Sequence, residues 1–383
     1  MTLAGGEAPV RPSRVEVDLD AIAANVRTLR AHVAPTPVWA VVKADGYGHG
    51  AVPVARAALA AGAAGLAVAL VEEARTLRAA GIEARILLLS EPPVTAAGAV
   101  VDAGVEPTVY SPEMVAALDA AAAARPAGAD PLAVHLKVDT GMHRVGAAPD
   151  DVVAVAAAID RAPRLHLAAV WTHLAVADEP DRADTAVQLE RFGAAVAAIE
   201  AAGIVVPERH AANSAGTIAH PGARHDLVRA GIAVYGIAPS PALAGAVLLR
   251  PALRLVSAVS HVKDVPPGEG VSYGLRWAPE VATTVVTVPI GYADGVRRRL
   301  GGLGAEVLIG GRRCPIAGTV TMDQITVDCG PGATVARGDE VVLIGRQGDH
   351  EVTAEEWAER LGTIGYEITC GLGPRLPRTY TGG

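Results

Sequence analysis

The feature that most constrains this chain is an eightfold alternation of short apolar runs with helical stretches. Between about Val38 and Ile232 the runs are VWAVVK, LAVAL, ILLLS, PTVY, VHLKVD, LHLAAVWTH, ERHAA and DLVRAGI. Each is bounded by Gly, Pro or a charge, and alanine-rich segments of 3.6-residue period lie between them. Strand and helix repeated in this order predict a parallel sheet closed on itself, a (β/α)8 barrel of TIM type, which typically takes about 250 residues. After Pro239 the texture changes. LRLVSAVSHVKDV, TTVVTVPI, EVLIGGRRCPI, QITVDC and DEVVLIG are β-branched runs joined by Gly and Pro turns with hardly any helix, which predicts a mostly antiparallel β-strand domain. The expected division is a barrel over residues 1–244 and a β domain over 245–383. Periodicity does not assign the N-terminal strand SRVEVDL or the amphipathic helix from Asp20 to about Ala34 to either domain.

Charge and composition remove several classes of function. A net charge of −8 leaves no basic surplus for a phosphate backbone, so nucleic acid is not an expected partner. The opening MTLAGGEAPVRPSR lacks the apolar core of an export signal, and no uninterrupted apolar 20-mer follows, so the expectation is a cytoplasmic protein with no membrane partner. Cys314, Cys329 and Cys370 are odd in number and widely spaced, without a CxxC pair, which indicates neither disulfides nor a metal site.

In a barrel, side chains free to meet a ligand sit where strands end, so the strand ends are where chemistry is sought. The first run ends in Lys43, followed by ADGYGHG. A lysine at a buried strand end either snorkels to water or is chemically used. Glycines 46, 48 and 50 form a tight loop that sets Tyr47 and His49 beside it. The stretch AVVKADGYGHGA closely resembles the alanine racemases, whose lysine in this setting forms a Schiff base with pyridoxal 5′-phosphate. That resemblance extends from about Arg14 to Arg378.

The resemblance implies roles at the other strand ends. In LKVDTGMHRVG, Lys137 matches a lysine that is often carbamylated and buttresses an arginine, here Arg144, that approaches the substrate carboxylate. A carbamate turns a cation into an anion able to pair with a guanidinium; the plain alternative is an ordinary lysine. WTHLAVADE carries His173 and Asp178, where His173 by itself reads as a hydrogen-bonded core residue. RHAANSAG supplies His210, Asn213 and Ser214. A serine there reads first as an N-cap, yet with Gly231 and Ile232 it also suits a phosphate. By resemblance the hydroxyls of Tyr47 and Tyr366 join that phosphate site, and Arg229 of LVRAGI faces the pyridine nitrogen. Tyr273 of GEGVSYG, donated by the second subunit of a homodimer, is then the base opposite Lys43. Tyr292 and Arg298 of PIGYADGVRR, Met322 and Asp323 of TMDQ, and Ile364 of IGYEITC complete the match, Met322 beside the substrate and the others at the entrance or behind it. Thr319 and Thr321 depart from the family, which usually has an arginine and a cysteine or serine there, and this bears on substrate range.

Rival patterns are weaker. GVSYG fits the nucleophile-elbow spacing with Ser272, but a PPGEG loop precedes it and a β run follows, where the elbow needs strand, turn and helix. Asp139-Thr140-Gly141 matches an aspartic-protease triplet, but that chemistry needs two carboxylates and the chain has a single such triplet. No phosphate-binding glycine loop of nucleotide type occurs. A non-catalytic cofactor carrier lacks a second domain, and a barrel decarboxylase brings acidic or cysteine groups from it, whereas here the second domain brings tyrosine. The expected function is therefore interconversion of L- and D-alanine, supplying D-alanine for peptidoglycan, with a racemase of serine or another amino acid as the serious alternative.

Overall fold

The computed structural model of the chain describes residues 10–126 and 128–383. Residues 1–9, part of the segment read above as lacking an export signal, lie outside the described residues. Two compact units are present. One comprises Ala21–Gly46 and Ala51–Arg250; the other comprises the described residues up to Asp20, Tyr47–Gly50 and Pro251–Gly383.

Among the described residues of the first unit, eight strands pair in parallel. In spatial order they are Glu208–His210, Leu165–Trp171, Leu132–Lys137, Glu106–Val109, Ile86–Leu88, Gly65–Val68, Val38–Val41 and Val228–Ala230. Each lies in one of the apolar runs read from the sequence. Backbone bonds from Asp226 N to Arg209 O and from Arg229 N to Ala212 O, both 3.0 Å, bring the ends of the sheet together as a nearly closed barrel. Val38–Val41, Gly65–Val68, Ile86–Leu88 and Val228–Ala230 are buried at every residue, as a parallel sheet covered on both faces requires. Trp39 and Trp171 are wholly buried. Gly65 is needed because a Cβ there would stand 2.7 Å from the Trp39 ring.

The eighth repeat departs from the regular pattern. A single 3₁₀ turn, Ile232–Tyr235, follows the last strand. The helix Leu19–Val33 is tied to this region by Asn25, whose amide donates to Val234 O (3.0 Å) and Arg250 O (2.8 Å) and accepts from Arg250 N (2.7 Å). The strand just before it, Arg14–Asp18, joins the other unit, antiparallel to Leu253–Ala258 and parallel to Arg378–Thr381.

The second unit holds two sheets. One runs Arg312–Pro315, Glu306–Ile309, Glu340–Gln347, Leu253–Ala258, Arg14–Asp18, Arg378–Thr381, with His350–Val352 beside Glu340–Gln347. The other runs His261–Val265, Thr283–Val288, Ile325–Asp328 and is antiparallel throughout. The run LRLVSAVSHVKDV is thus two strands in two sheets. The expectation of hardly any helix here needs correction, since Ala354–Leu361 and Gly365–Cys370 are helical. Thr353 caps the first by accepting from Glu356 N (3.0 Å), Trp357 and Ala358 are buried, and Gly362 ends it in the left-handed region at φ 68°.

Candidate active site

Lys43 emerges from the first barrel strand into a left-handed turn. Ala44, Asp45, Gly46 and Tyr47 have φ of 53°, 51°, 60° and 52°. Non-glycine residues pay on the order of 1 kcal/mol or more each in this region, so the surroundings must hold the turn in place. Gly46 N bonds back to Val42 O (3.0 Å), and Asp45 Oδ1 accepts from Ala51 N (2.9 Å). Glu73 does most. Its carboxylate accepts from Ala44 N (2.6 Å), Ala69 N (2.8 Å) and Leu70 N (3.1 Å), pinning the lysine turn to the next strand's loop. The sequence reading did not find Glu73, because Leu70 at the N-cap lacks the side-chain oxygen that marks a capping box and only the glutamate's half of that pattern is present. Glu73→Ala leaves three backbone donors to find water, and the expected loss is about 1–3 kcal/mol of stability. Weaker cofactor retention accompanies it, read by thermal melting and by dialysis of the holoenzyme; an unchanged melt and unchanged retention would show that the turn holds itself.

Cations dominate the barrel rim. Lys137 is buried with its Nζ 4.4 Å above the Trp171 ring. Loss of water and the nearby Arg229, Arg144 and Lys43 charges lower its pKa to about 7. His173 keeps some exposure at the rim, yet desolvation and the same cations push it well below 6.5, so it is neutral. Arg229 is buried, with its guanidinium 4.5 Å above Trp171 on the same ring. Its Nη1 donates to His210 Nδ1 (2.6 Å) and its Nη2 to Thr172 O (2.9 Å) and Ala211 O (3.0 Å). Burial lowers its pKa to about 9, which leaves it charged at neutral pH. Arg144 is exposed. Four cationic side chains, Lys43, Lys137, Arg144 and Arg229, whose charges act on one neutral imidazole call for anions.

The following loops supply further groups. Asn213 is the N-cap of the helix Ser214–Ala219: its Oδ1 accepts from Gly216 N (2.9 Å) and its amide donates to Leu174 O (3.4 Å). That corrects the reading of Ser214 as a cap and frees its hydroxyl. Ser214 Oγ accepts from Gly231 N (2.8 Å) and Ala233 N (3.4 Å), leaving its O–H to donate. Gly231 N–H is thereby engaged by Ser214. Asp178 is half-buried, and its carbonyl accepts from Ser240 Oγ (2.6 Å). Asp139 of the protease-like triplet accepts from Gly141 N and His143 N, both 3.0 Å, as a turn-forming residue.

In the second unit, Tyr47 and Tyr366 face each other with ring centres 6.0 Å apart. Gly48 is required there, because a Cβ would stand 2.2 Å from Thr369 O. Tyr273 is 73% exposed, and Leu275, Met322, Ile364 and Tyr292 are exposed too. Thr319 Oγ1 donates to Tyr273 O (2.8 Å), and Ser272 Oγ donates to Thr319 O (2.6 Å). The departure from the family at Thr319 thus buttresses the tyrosine loop. Arg298 is exposed, and Asp323 is bonded to Arg375 at 2.7 Å.

These donors fit pyridoxal phosphate. Lys43 offers an amine for the aldehyde, Ser214 a hydroxyl for the phosphate, and Arg229 a fixed cation for the ring nitrogen. A barrel with such a rim, carried with a separate β unit, defines a pyridoxal-phosphate enzyme of the barrel class. The chain belongs to the alanine racemase family, whose members are pyridoxal-phosphate-dependent isomerases: the model of the alanine racemase N-terminal domain matches residues 17–239 and that of the C-terminal domain residues 252–380. An alanine racemase from Symbiobacterium thermophilum is 48% identical over 97% of this chain and 98% of its own length. One from Thermobifida fusca is 47% identical, also over 97% of this chain and 98% of its own. Among solved structures, the alanine racemase of D-cycloserine-producing Streptomyces lavendulae superposes with a TM-score of 0.92 at 42% identity over 98% of both chains. A histidine racemase from Leuconostoc mesenteroides subsp. sake superposes with a TM-score of 0.89 at 28% identity, covering 99% of this chain and all of its own.

Proposed function

We propose that this protein interconverts L- and D-alanine, using Lys43 and the Tyr273 of a second copy as bases on opposite faces of the substrate's α-carbon. The observation that carries the reading is the cation cluster of Lys43, Lys137, Arg144 and Arg229 around the neutral His173. Two anions, a phosphate and a substrate carboxylate, balance it. Bound pyridoxal phosphate supplies an electron-withdrawing ring that acidifies the α-hydrogen. Ser214 and Ile232 N–H would hold the phosphate, and Arg144 would meet the substrate carboxylate. Racemisation needs a proton removed from one face and returned to the other, and a base fixed on one face does not reach the other. Arg229, a buried cation, would disfavour protonation of a ring nitrogen held beside it, which would keep electron withdrawal modest and disfavour transamination. Lys137, with a pKa near 7, has a substantial neutral fraction at neutral pH. That neutral amine is the form that takes up carbon dioxide, giving a carbamate anion beside Arg144 and releasing a proton.

The exposed Tyr273, Leu275 and Met322 suit a homodimer in which each copy completes the other's site. In this reading the enzyme works in the cytoplasm and its D-alanine feeds peptidoglycan. The kinship with a histidine racemase, together with Thr319 and Thr321, favours including larger substrates in the test. Chiral chromatography of a panel containing alanine, serine and histidine, with cofactor absorption recorded alongside, is expected to show alanine turned over fastest. A faster turnover of another member would reassign the substrate.

A further inference from the structure

A line of buried polar groups crosses the barrel interior from its lower end to Arg229. Arg229 Nη1 lies 2.6 Å from His210 Nδ1, His210 Nε2 lies 3.1 Å from His135 Nδ1, and His135 Nε2 lies 2.8 Å from Glu106 Oε2. Glu106 in turn accepts from Arg85 Nε (2.6 Å) and Nη2 (3.0 Å), and Arg85 also reaches Glu208 at 3.3 Å. His135 and His210 are fully buried. His210 is stacked on Trp171 with ring planes 13° apart, so it cannot turn aside. Glu106 and Glu208 open their strands and Arg85 immediately precedes its own, so all three lie at the strand starts, opposite the strand ends that lead into the catalytic loops.

Hydrogen-bond chemistry fixes where every proton in this line resides. A guanidinium only donates, so His210 Nδ1 must accept and its hydrogen must be on Nε2. His135 Nδ1 must then accept, its hydrogen is on Nε2, and it donates to the Glu106 carboxylate. No imidazole in the line has room for an additional proton while Arg229 keeps its bond. Arg229 has no carboxylate within ion-pair distance among the described residues; its side-chain partners are His210 Nδ1 and the carbonyls of Thr172 and Ala211. The nearest anion oriented toward it along bonds is Glu106. Burial alone would raise Glu106, but the hydrogen bonds from His135 and Arg85 and the charge of Arg85 outweigh it and hold it well below the usual carboxylate range.

We propose that Glu106 is a positioning residue that acts as the remote counter-charge of Arg229, transmitted through the aligned His135 and His210 imidazoles. The effect on racemisation rests on the functional reading above, whereas the proton arrangement does not. With Glu106→Gln, the amide oxygen is drawn to Arg85 and the amide hydrogens face His135 Nε2. His135 must then carry its hydrogen on Nδ1, where it meets the hydrogen on His210 Nε2, and the grip on Arg229 loosens.

Histidine-selective ¹⁵N labelling of the holoenzyme tests this, because two-bond couplings identify the protonated nitrogen of each ring. In the unaltered protein His135 and His210 are expected as Nε2–H forms, and His210, pushed well below 6.5 by burial and the Arg229 charge, is expected not to ionise between pH 6 and 9. Glu106→Gln is expected to move the His135 hydrogen to Nδ1 and to lower kcat for alanine about ten- to a hundredfold, the size of one charge-assisted hydrogen bond, with KM within twofold. Glu106→Asp is expected to restore both. A His210 that carries hydrogen on Nδ1, or that ionises in that range, overturns the proposal without any variant being needed. So does a Glu106→Gln enzyme with unaltered kcat. Absence of alanine turnover in the unaltered protein, with the ring hydrogens where stated, counts against the functional reading and not against the line of bonds.

Discussion

Lys43→Ala is expected to reduce alanine racemisation by about four to six orders of magnitude, the range seen when a covalent catalytic group is deleted. Two losses combine. The side chain that anchors the cofactor is gone, and so is the base on one face of the substrate. The fold should survive, because the turn that presents Lys43 is held by other groups: Gly46 N on Val42 O, Asp45 on Ala51 N, and Glu73 on Ala44 N. Lys43 itself does not adopt a positive φ, so alanine takes its place without added backbone strain. Thermal melts of the cofactor-free forms should therefore coincide. The cofactor's long-wavelength absorption should shift to that of the free aldehyde, and the cofactor should leave on dialysis. Racemisation within tenfold of the unaltered enzyme would remove Lys43 from the chemistry and with it the proposed mechanism.

The barrel was legible because its strands are buried on both faces. VWAVV and ILLL have no polar side to hide, and a parallel sheet sandwiched by helices is where such runs belong. Lys43 stood out as a charge at the end of such a run, but the run left its role open and the resemblance of AVVKADGYGHGA supplied the reading. What the sequence hid depends on contacts distant in the chain. Glu106, His135 and His210 are far apart in sequence and meet only because the fourth, fifth and seventh barrel strands point them to one interior. Which of Asn213 and Ser214 caps the helix was hidden too, since either residue type caps a helix and only the backbone conformation decides which one does. The helix Ala354–Leu361 carried its signals openly, Thr353 before it and Gly362 after it, but its length of two turns is easily absorbed into a β-rich reading. Ser272 illustrates the converse, a spacing without a setting. Its φ of 64° serves a bend, and its hydroxyl is committed to Thr319 O.

Tyr273→Phe is expected to lower racemisation about a hundred- to ten-thousandfold, the usual contribution of a positioned acid or base. The bonds that shape its loop involve the backbone carbonyl of Tyr273, with Thr319 and Ser272, so phenylalanine keeps the loop and deletes only the hydroxyl. Because the two enantiomers are equal in energy in water, kcat/KM must fall by the same factor in both directions, and steady-state rates alone cannot identify a face. Exchange of the α-hydrogen with deuterated solvent can. One enantiomer presents its hydrogen to Lys43 and should keep exchanging near the original rate, while the other should stop. Equal, mild losses for both would end the two-base account. Mixing Lys43→Ala with Tyr273→Phe copies distinguishes whose tyrosine is used. If each site borrows Tyr273 from the other copy, random re-pairing makes half the dimers mixed, and one site of each mixed dimer is intact, so about a quarter of full activity returns. If Tyr273 serves its own chain, every site in the mixture lacks one base and no activity returns.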